Sequence, residues 1–237
     1  MSTGESYDRY LNFPIELLQG FMIDSKKCLV DIANYGSYAH CLKLGYGNEL
    51  SKQKATYEYF DFEFKKANAC KSFELGEQLY NSIEKNTPMA GISMTMFGDY
   101  YKNKKTPFEK ACLLAYLAFK SIIGDKQYIR MTNIFLISRM AGNRNKDDDL
   151  PQELIPYTGD NGRRRLIAIK NELQMKFGLV YYGQHTRGFY VSFKMELEDL
   201  ILQAEKDKKK TKLKALKDEQ KEAYRRAINR LNNLPNE

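Results

Sequence analysis

Three consecutive arginines are the residues of this chain best suited to binding phosphate groups. Arg163, Arg164 and Arg165 open the stretch 161–178, whose apolar spacing predicts a helix. Guanidinium groups form paired hydrogen bonds with phosphate oxygens and with the edge of guanine. At a helix N-terminus each of these cations would cost roughly 0.3–1 kcal/mol against the helix macrodipole. A bound phosphate would offset that cost, because helix N-termini and guanidinium groups attract the same anion.

The predicted helix has two chemically different faces. One face is an apolar stripe that should lie against the core, and Gly178 follows it as a C-terminal stop. The stripe consists of Leu166, Ile169, Leu173 and Phe177. The outward face and its two basic shoulders consist of Arg163, Arg164, Arg165, Ile167, Ala168, Lys170, Asn171, Gln174, Met175 and Lys176. Basic shoulders around a small, amide-bearing centre suit a helix that lies in the major groove of DNA.

The side-chain chemistry predicts individual roles on this helix. We expect Arg164 to pair with guanine and Asn171 with adenine, while Arg163 and Arg165 contact phosphates. The simpler alternative is an exposed helix whose charges only keep the protein soluble. That alternative does not explain an outward Ile and Met, nor why Glu172 is the only acid among seven basic residues between positions 161 and 194. We therefore favour DNA contact, and the alternative stays open.

Two β-rich runs joined by a glycine-flanked loop follow the helix and predict a hairpin. Arg187 at the loop tip is placed to enter a minor groove or to hold a phosphate. The pattern predicts Tyr181, Phe189, Val191 and Phe193 in the core and Tyr182 and Tyr190 on the outside. The complete set of predicted nucleic-acid contacts is Arg163, Arg164, Arg165, Lys170, Asn171, Gln174 and Arg187.

The elements around the basic helix follow a known order. Thr106, Pro107 and Glu109 predict an N-cap, a first helical residue and a capping box. From there the pattern gives helix, short strand, helix, loop, basic helix, strand, turn and strand. This order resembles the winged helix-turn-helix superfamily, over little more than a third of the chain. The resemblance implies sequence-specific binding of double-stranded DNA, with recognition helix 163–177 in the major groove and hairpin 179–193 as the wing on the backbone or in the minor groove.

The same resemblance leaves the biological role open. A transcriptional regulator and a replication-type protein of a plasmid or phage both fit a winged helix. Some members of the superfamily bind proteins or RNA instead. A winged-helix protein-interaction module within a larger assembly, without DNA binding, is therefore the alternative.

Charge divides the chain into a neutral half and a basic half. Residues 1–105 carry 13 basic and 13 acidic side chains, whereas the remainder carries 25 and 17. We expect a helical N-terminal module (1–105), a winged-helix domain (106–194) and a basic amphipathic C-terminal helix (195–237). Together they make a mainly α fold with a small β-hairpin.

Two segments outside the winged-helix region carry apolar side chains that would pack in the core or against another protein. Residues 57–64 alternate five aromatics with three acids, and their spacing favours helix over strand without deciding between them. Those acids would repel phosphate, so packing in the core or against a partner is favoured over base stacking. The C-terminal helix has an apolar face and a lysine-dense stretch, 206–214, which can interrupt it. The N-terminal module or this helix would bind a protein partner or form a homodimer.

The sequence offers little for an enzyme. It contains no phosphate-binding loop, dinucleotide fingerprint, zinc-protease or nucleophile-elbow motif, so we expect no catalysis and no cofactor. The acidic run at 147–149 has no histidine nearby, and the four cysteines form no ligand-spaced pair, so we expect no metal. No run of about 20 apolar residues is present, which predicts a cytoplasmic protein with reduced thiols and no membrane contact.

Overall fold

The computed structural model describes residues 8–45, 47–146, 148–185 and 188–232. Helices dominate these residues, and the strands form two small antiparallel sheets. The expected fold class, mainly α with a small β-hairpin, is therefore confirmed.

A two-stranded sheet and four helices make up the first part of the chain. The helices are α1 (Ser25–Lys43), α2 (Glu49–Phe60), α3 (Lys66–Ser82) and α4 (Met94–Lys102). Strands β1 (Tyr10–Pro14) and β2 (Met89–Ser93) pair antiparallel, with Tyr10 opposite Ser93. β1 leads into the 3-10 helix Ile15–Leu18. Leu11, Phe13 and Ile92 of this sheet have no exposed surface, so the sheet is part of the core.

Residues 57–64 are the end of α2 and the loop that follows it. The Asn48 side chain caps α2 by accepting a hydrogen bond from the Ser51 backbone N–H. Asp61 then ends the helix in the left-handed conformation, at φ 58°. The helical prediction was right up to Phe60 and wrong beyond it. Tyr57 and Phe60 are both buried, which agrees with a packing role for these aromatics.

The second part of the chain surrounds a three-stranded sheet. Its helices are α5 (Pro107–Ile123), α6 (Asn133–Met140) and α7 (Gly159–Phe177), with a 3-10 helix at Gln152–Tyr157. Its strands are β3 (Ile129–Met131), β4 (Val180–His185) and β5 (Gly188–Ser192), and they lie side by side in the order β3-β5-β4. The predicted capping box is confirmed, because Thr106 and Glu109 exchange the two expected hydrogen bonds at the start of α5.

The C-terminal helix α8 (Leu197–Asn232) agrees with the expected helix and is continuous through the lysine-dense stretch, so the lysines do not interrupt it. Only its first turns are packed. Leu200 and Ala204 are fully buried against the outer face of the β4–β5 hairpin, where they meet Tyr190. Every residue from 208 to 226 is exposed, so the rest of the described helix extends away from the body.

One hydrophobic cluster joins the two parts of the chain. It runs from β1 and β2 through α5 to α7 and β5, and every residue of α5 from Ala111 to Phe119 is buried in it. Arg144, which follows α6, also forms ion pairs with Glu16 and Glu84 of the first part. The predicted boundary at 105/106 falls between α4 and α5, but the packed interior continues across it.

Candidate nucleic-acid interface

α7 starts four residues before the first arginine. Its first residue is Gly159, and Asp160 lies in its first turn, so Arg163, Arg164 and Arg165 fall beyond that turn. The prediction that the arginines stand at the helix N-terminus was therefore wrong. Because the effect of the macrodipole falls off within the first turn, the arginines carry little of the electrostatic cost first attributed to them.

The start of α7 is fixed by a close approach of two backbones. Gly162 lies against the 3-10 helix that precedes α7, where an added Cβ would stand 2.1 Å from the carbonyl carbon of Tyr157. No side chain fits at that distance. The glycine therefore allows α7 to lie directly against the preceding 3-10 helix. The three arginines follow from the next residue on.

The inner face of α7 is the predicted apolar stripe. Leu166, Ile169 and Leu173 are at most 1% exposed, and Phe177 is half-buried. Gly178 ends the helix at φ +64° and donates its backbone N–H to the Leu173 carbonyl. This part of the prediction is confirmed. A helix held along one side presents its other side in a fixed orientation.

The outer face carries most of the predicted contact residues. Five of them are exposed: Arg163, Arg164, Arg165, Asn171 and Gln174. Ile167 and Met175 share this face and are 43% and 74% exposed. Glu172 is half-buried beside Cys112 of α5 and is paired with Lys176 one turn further on. The outer face is thus rich in hydrogen-bond donors.

Lys170 does not belong to that outer face. Its side chain is 6% exposed, and its ammonium group donates a hydrogen bond to Asn133 Oδ1 at 2.9 Å. The same group lies 3.6 Å from the ring centroid of Phe189, a cation–π contact. Burial lowers the pKa of Lys170 to about 8, with the charge of Arg163 as a second cause. Placing Lys170 on an exposed shoulder was wrong, because it follows Leu166 by one helical turn and so lies beside the apolar stripe.

Asn171 is held in place by the hairpin. The Tyr181 hydroxyl donates a hydrogen bond to Asn171 Oδ1 at 2.8 Å, which links α7 to β4. The sequence pattern assigned Tyr181 to the core and gave no sign of this contact, since the two residues belong to different elements. The contact fixes which way the carboxamide of Asn171 faces.

The far side of the hairpin is covered by α8. Tyr190 is only 1% exposed, because Leu200 and Ala204 pack on it. The prediction that Tyr190 points outward was therefore wrong, while Phe189 and Val191 lie in the core as predicted. The loop tip with Arg187 lies outside the described residues.

Clustered metal ligands or reactive thiols elsewhere in the described chain would indicate a metal or catalytic centre. No group of three or more His, Cys, Asp or Glu residues is close enough to hold a metal within the ranges that the structure covers. Asp147, from the acidic run, lies outside those ranges. Cys28, Cys41 and Cys112 are buried, and burial raises the pKa of Cys28 to about 11 and that of Cys112 to about 12. Such thiols are poor nucleophiles at neutral pH, since the thiolate is the reactive form.

Comparisons with known proteins identify no relative. No family model matches the chain, and no curated protein or solved structure matches it either. Among the described helices, none combines the length and the apolar composition that crossing a bilayer requires. What the chain does must therefore be argued from α7 and its surroundings.

Proposed function

We propose that the protein binds double-stranded DNA in a sequence-specific manner, with α7 in the major groove. The observation that carries this proposal is the outer face of α7. Five exposed side chains that can donate hydrogen bonds stand there on a helix whose opposite side is buried: Arg163, Arg164, Arg165, Asn171 and Gln174. Base edges are read by side chains whose positions are fixed before binding, and the buried stripe supplies that fixation.

The arrangement of elements supports the same proposal. α7 is followed directly by the β4–β5 hairpin, and the short strand β3 completes the sheet on the far side of β5. This order is what the resemblance to the winged helix-turn-helix superfamily implies. In that interpretation the loop between β4 and β5 lies beside the major groove that α7 occupies. Arg187 would act there on the backbone or in the minor groove.

Each exposed residue has a role that its chemistry suggests. Arg164 and Asn171 would read guanine and adenine, while Arg163 and Arg165 would bind the phosphates on either side. Gln174 lies one turn beyond Asn171 and extends the same polar row. Lys170 would act indirectly, by holding α7 against α6 through its hydrogen bond to Asn133.

The biological role belongs to the same proposal. A transcriptional regulator or a replication-type protein of a plasmid or phage would both use a fixed recognition helix. Either role also needs contacts with other proteins or with a second copy of the chain. We place those contacts on the helical first part or on α8.

A protein-interaction module is the second candidate, and one observation favours it. Ile167 and Met175 are exposed on the outer face of α7, and exposed apolar side chains are common where proteins bind one another. In this case the arginines would bind an acidic partner. Duplex binding would then be absent or would show no preference for sequence.

Selection of binding sites from random duplexes, followed by titration at several salt concentrations, tests the proposal. A protein with about six phosphate contacts should show log K falling with log salt at a slope of about −5. We expect one sequence motif to be enriched and to bind at least tenfold better than scrambled DNA. Absence of duplex binding at low salt would contradict the proposal.

Single substitutions then locate the readers of sequence. Arg164→Ala and Asn171→Ala should each relax specificity at one base pair, by about 1–3 kcal/mol of discrimination. Lys71→Ala, on an exposed position of α3, is the matched control and should leave specificity unchanged. If both α7 variants retain the parent's specificity, α7 is not the recognition helix, even if the protein binds DNA.

A further inference from the structure

α8 has a long section with no packing partner among the described residues. At about 1.5 Å per residue its 36 residues span roughly 54 Å, yet burial is confined to its first turns. The helix leaves the body beside the β4–β5 hairpin, which also packs against α7 on its other face. The exposed section therefore starts at the same small sheet whose other face supplies Tyr181, the partner of Asn171.

The exposed section begins with a dense cluster of lysines. Between positions 206 and 217 there are seven lysines and one acid, Asp207. Asp207 already accepts a hydrogen bond from the Tyr128 hydroxyl, at 3.1 Å. The lysine segment, as we call it, consists of Lys206, Lys208, Lys209, Lys210, Lys212, Lys214 and Lys217.

These lysines repel one another along the helix. Lys206 and Lys210, Lys208 and Lys212, and Lys210 and Lys214 stand four residues apart, where like charges destabilise a helix by a few tenths of a kcal/mol per pair. Within the described chain, only Lys208 of the seven forms an ion pair, with Glu205 at 3.5 Å. A polyanion alongside the segment would relieve this repulsion.

The charge on α7 is too small by itself for tight binding to a duplex. Lys170 is buried and Lys176 is paired with Glu172, so among the described residues the exposed cations of α7 without a carboxylate partner are the three arginines. Three phosphate contacts give a slope of log K against log salt near −3. The slope is about −2 if Arg164 contacts a base and only two arginines contact phosphates. The lysine segment, on the helix that covers the other face of the same sheet, would supply the missing contacts.

We propose that the lysine segment of α8 binds the phosphate backbone of the same duplex that α7 reads. This inference rests on the proposed function. At about 100° per residue the seven side chains are spread around the helix, with one gap of about 120° between Lys214 and Lys208. A duplex that approaches from outside that gap therefore meets several of them. An ammonium group acts as a point charge and needs no fixed geometry for this contact. The segment would add affinity without adding sequence preference.

A second copy of the chain is a poorer occupant of this segment. Pairing two α8 helices in parallel would set the two lysine segments side by side and add their repulsion. Heptad spacing through Leu213 and Leu216 would also place Lys206 and Lys209 at interface positions, where apolar side chains are needed. Charge complementarity therefore favours a polyanion over self-association.

The test replaces four of the lysines in the full-length protein. Lys209, Lys210, Lys212 and Lys214 become glutamine, which retains helix propensity. We expect the slope of log K against log salt to become less negative by about 2–4 on any duplex. The ratio of affinities for the selected site and scrambled DNA should not change. The control is a protein with Lys26, Lys27, Lys43 and Lys71 changed to glutamine, since these residues are exposed on the first part of the chain and the net charge is the same.

The outcomes separate this inference from the proposed function. If the slope is unchanged in the α8 variant, or becomes less negative by the same amount in the control, the inference is overturned while sequence preference is retained. If the slope becomes less negative in the α8 variant alone, in a protein without preference for any site, phosphate binding by α8 is supported and the reading role of α7 is overturned. Titration with poly-L-glutamate tests the alternative that the lysine segment binds an acidic protein. Loss of binding to that polymer, with duplex binding unchanged, overturns the inference in favour of a protein.

Discussion

α7 and α8 are both basic helices that flank the β4–β5 hairpin, yet they differ in how they are held. α7 is buried along one side from Gly162 to Leu173, and Gly178 ends it. α8 is anchored at its first turns, by the buried Leu200 and Ala204 and by the hydrogen bond between Asp207 and Tyr128. The side chains of α7 stand on a helix that the core holds in one position. α8 is held only near its start, and its exposed part is rich in lysine.

This difference matters because specificity and affinity have different physical requirements. Reading a base edge requires a donor and an acceptor held at hydrogen-bond distance, which a clamped helix provides. Attraction to phosphates acts over a Debye length of about 10 Å at 0.1 M salt and tolerates motion. α7 therefore suits the reading of bases, and α8 suits attraction to phosphates. Substitutions in each helix can test this difference.

The largest effect should separate the two helices by stability. Leu173→Ala removes a fully buried side chain of α7 and should lower the free energy of unfolding by about 2–5 kcal/mol. Leu213→Ala on α8, where the side chain is 58% exposed, should change it by less than about 0.5 kcal/mol. Urea denaturation of both variants measures this. Similar losses in the two would mean that α8 is packed along its length like α7.

The next effect concerns the buried ammonium group under α7. An unfolded lysine has a pKa of about 10.4, whereas burial lowers the pKa of Lys170 to about 8. Below pH 8 both states carry the proton, and the cost of burying the charge is fully present. Between pH 8 and 10.4 the unfolded chain retains a proton that the folded chain has lost, so stability rises with pH.

Lys170→Met isolates this contribution from the titration of cysteines and tyrosines. The difference in unfolding free energy between the parent and the variant should shift in the parent's favour by up to about 3 kcal/mol between pH 8 and pH 10.4. Lys210→Met is the control for an exposed lysine of α8 and should show no such shift. A pH-independent difference would show that Lys170 keeps its proton in the folded protein.

The smallest effect tests whether the β4–β5 hairpin orients the carboxamide of Asn171 on α7. Tyr181→Phe removes the hydroxyl that binds Asn171 and should weaken binding to the selected duplex by about 0.5–1.5 kcal/mol. Most of that loss should disappear in the Asn171→Ala background, since the contact then has no acceptor. Fluorescence anisotropy on the four proteins gives the coupling. Equal losses in both backgrounds would assign Tyr181 a role independent of Asn171.

Local signals made part of this structure predictable. The Thr106–Glu109 capping box, the apolar stripe of α7 and the stop at Gly178 each depend on residues within a few turns of one another. Such features are determined by neighbouring residues, so their patterns are visible in the sequence. The hairpin after α7 was predictable for the same reason.

Contacts between distant elements produced the errors. Tyr190 is buried because α8 returns to cover the hairpin, and the β1–β2 pairing joins strands separated by three helices. Strand alternation identifies opposite faces but does not tell which of them a later helix will cover. Lys170 was different, since its position one turn after Leu166 already placed it beside the buried stripe. The prediction that Lys170 is exposed relied on its charge, although its place on the helix indicated burial.

The interior that β1, β2 and α5 share limits how this protein can diversify. A genetic crossover between codons 105 and 106 would separate α5 from Leu11, Phe13 and Ile92, leaving side chains that now have no exposed surface in water. Each would forfeit about 1.5–3 kcal/mol, a large part of the stability of an ordinary domain. If α7 reads DNA as proposed, swapping halves is therefore a costly route to a new sequence preference. Point changes at the solvent-facing Arg164 and Gln174 avoid that cost, so new preferences would arise one codon at a time.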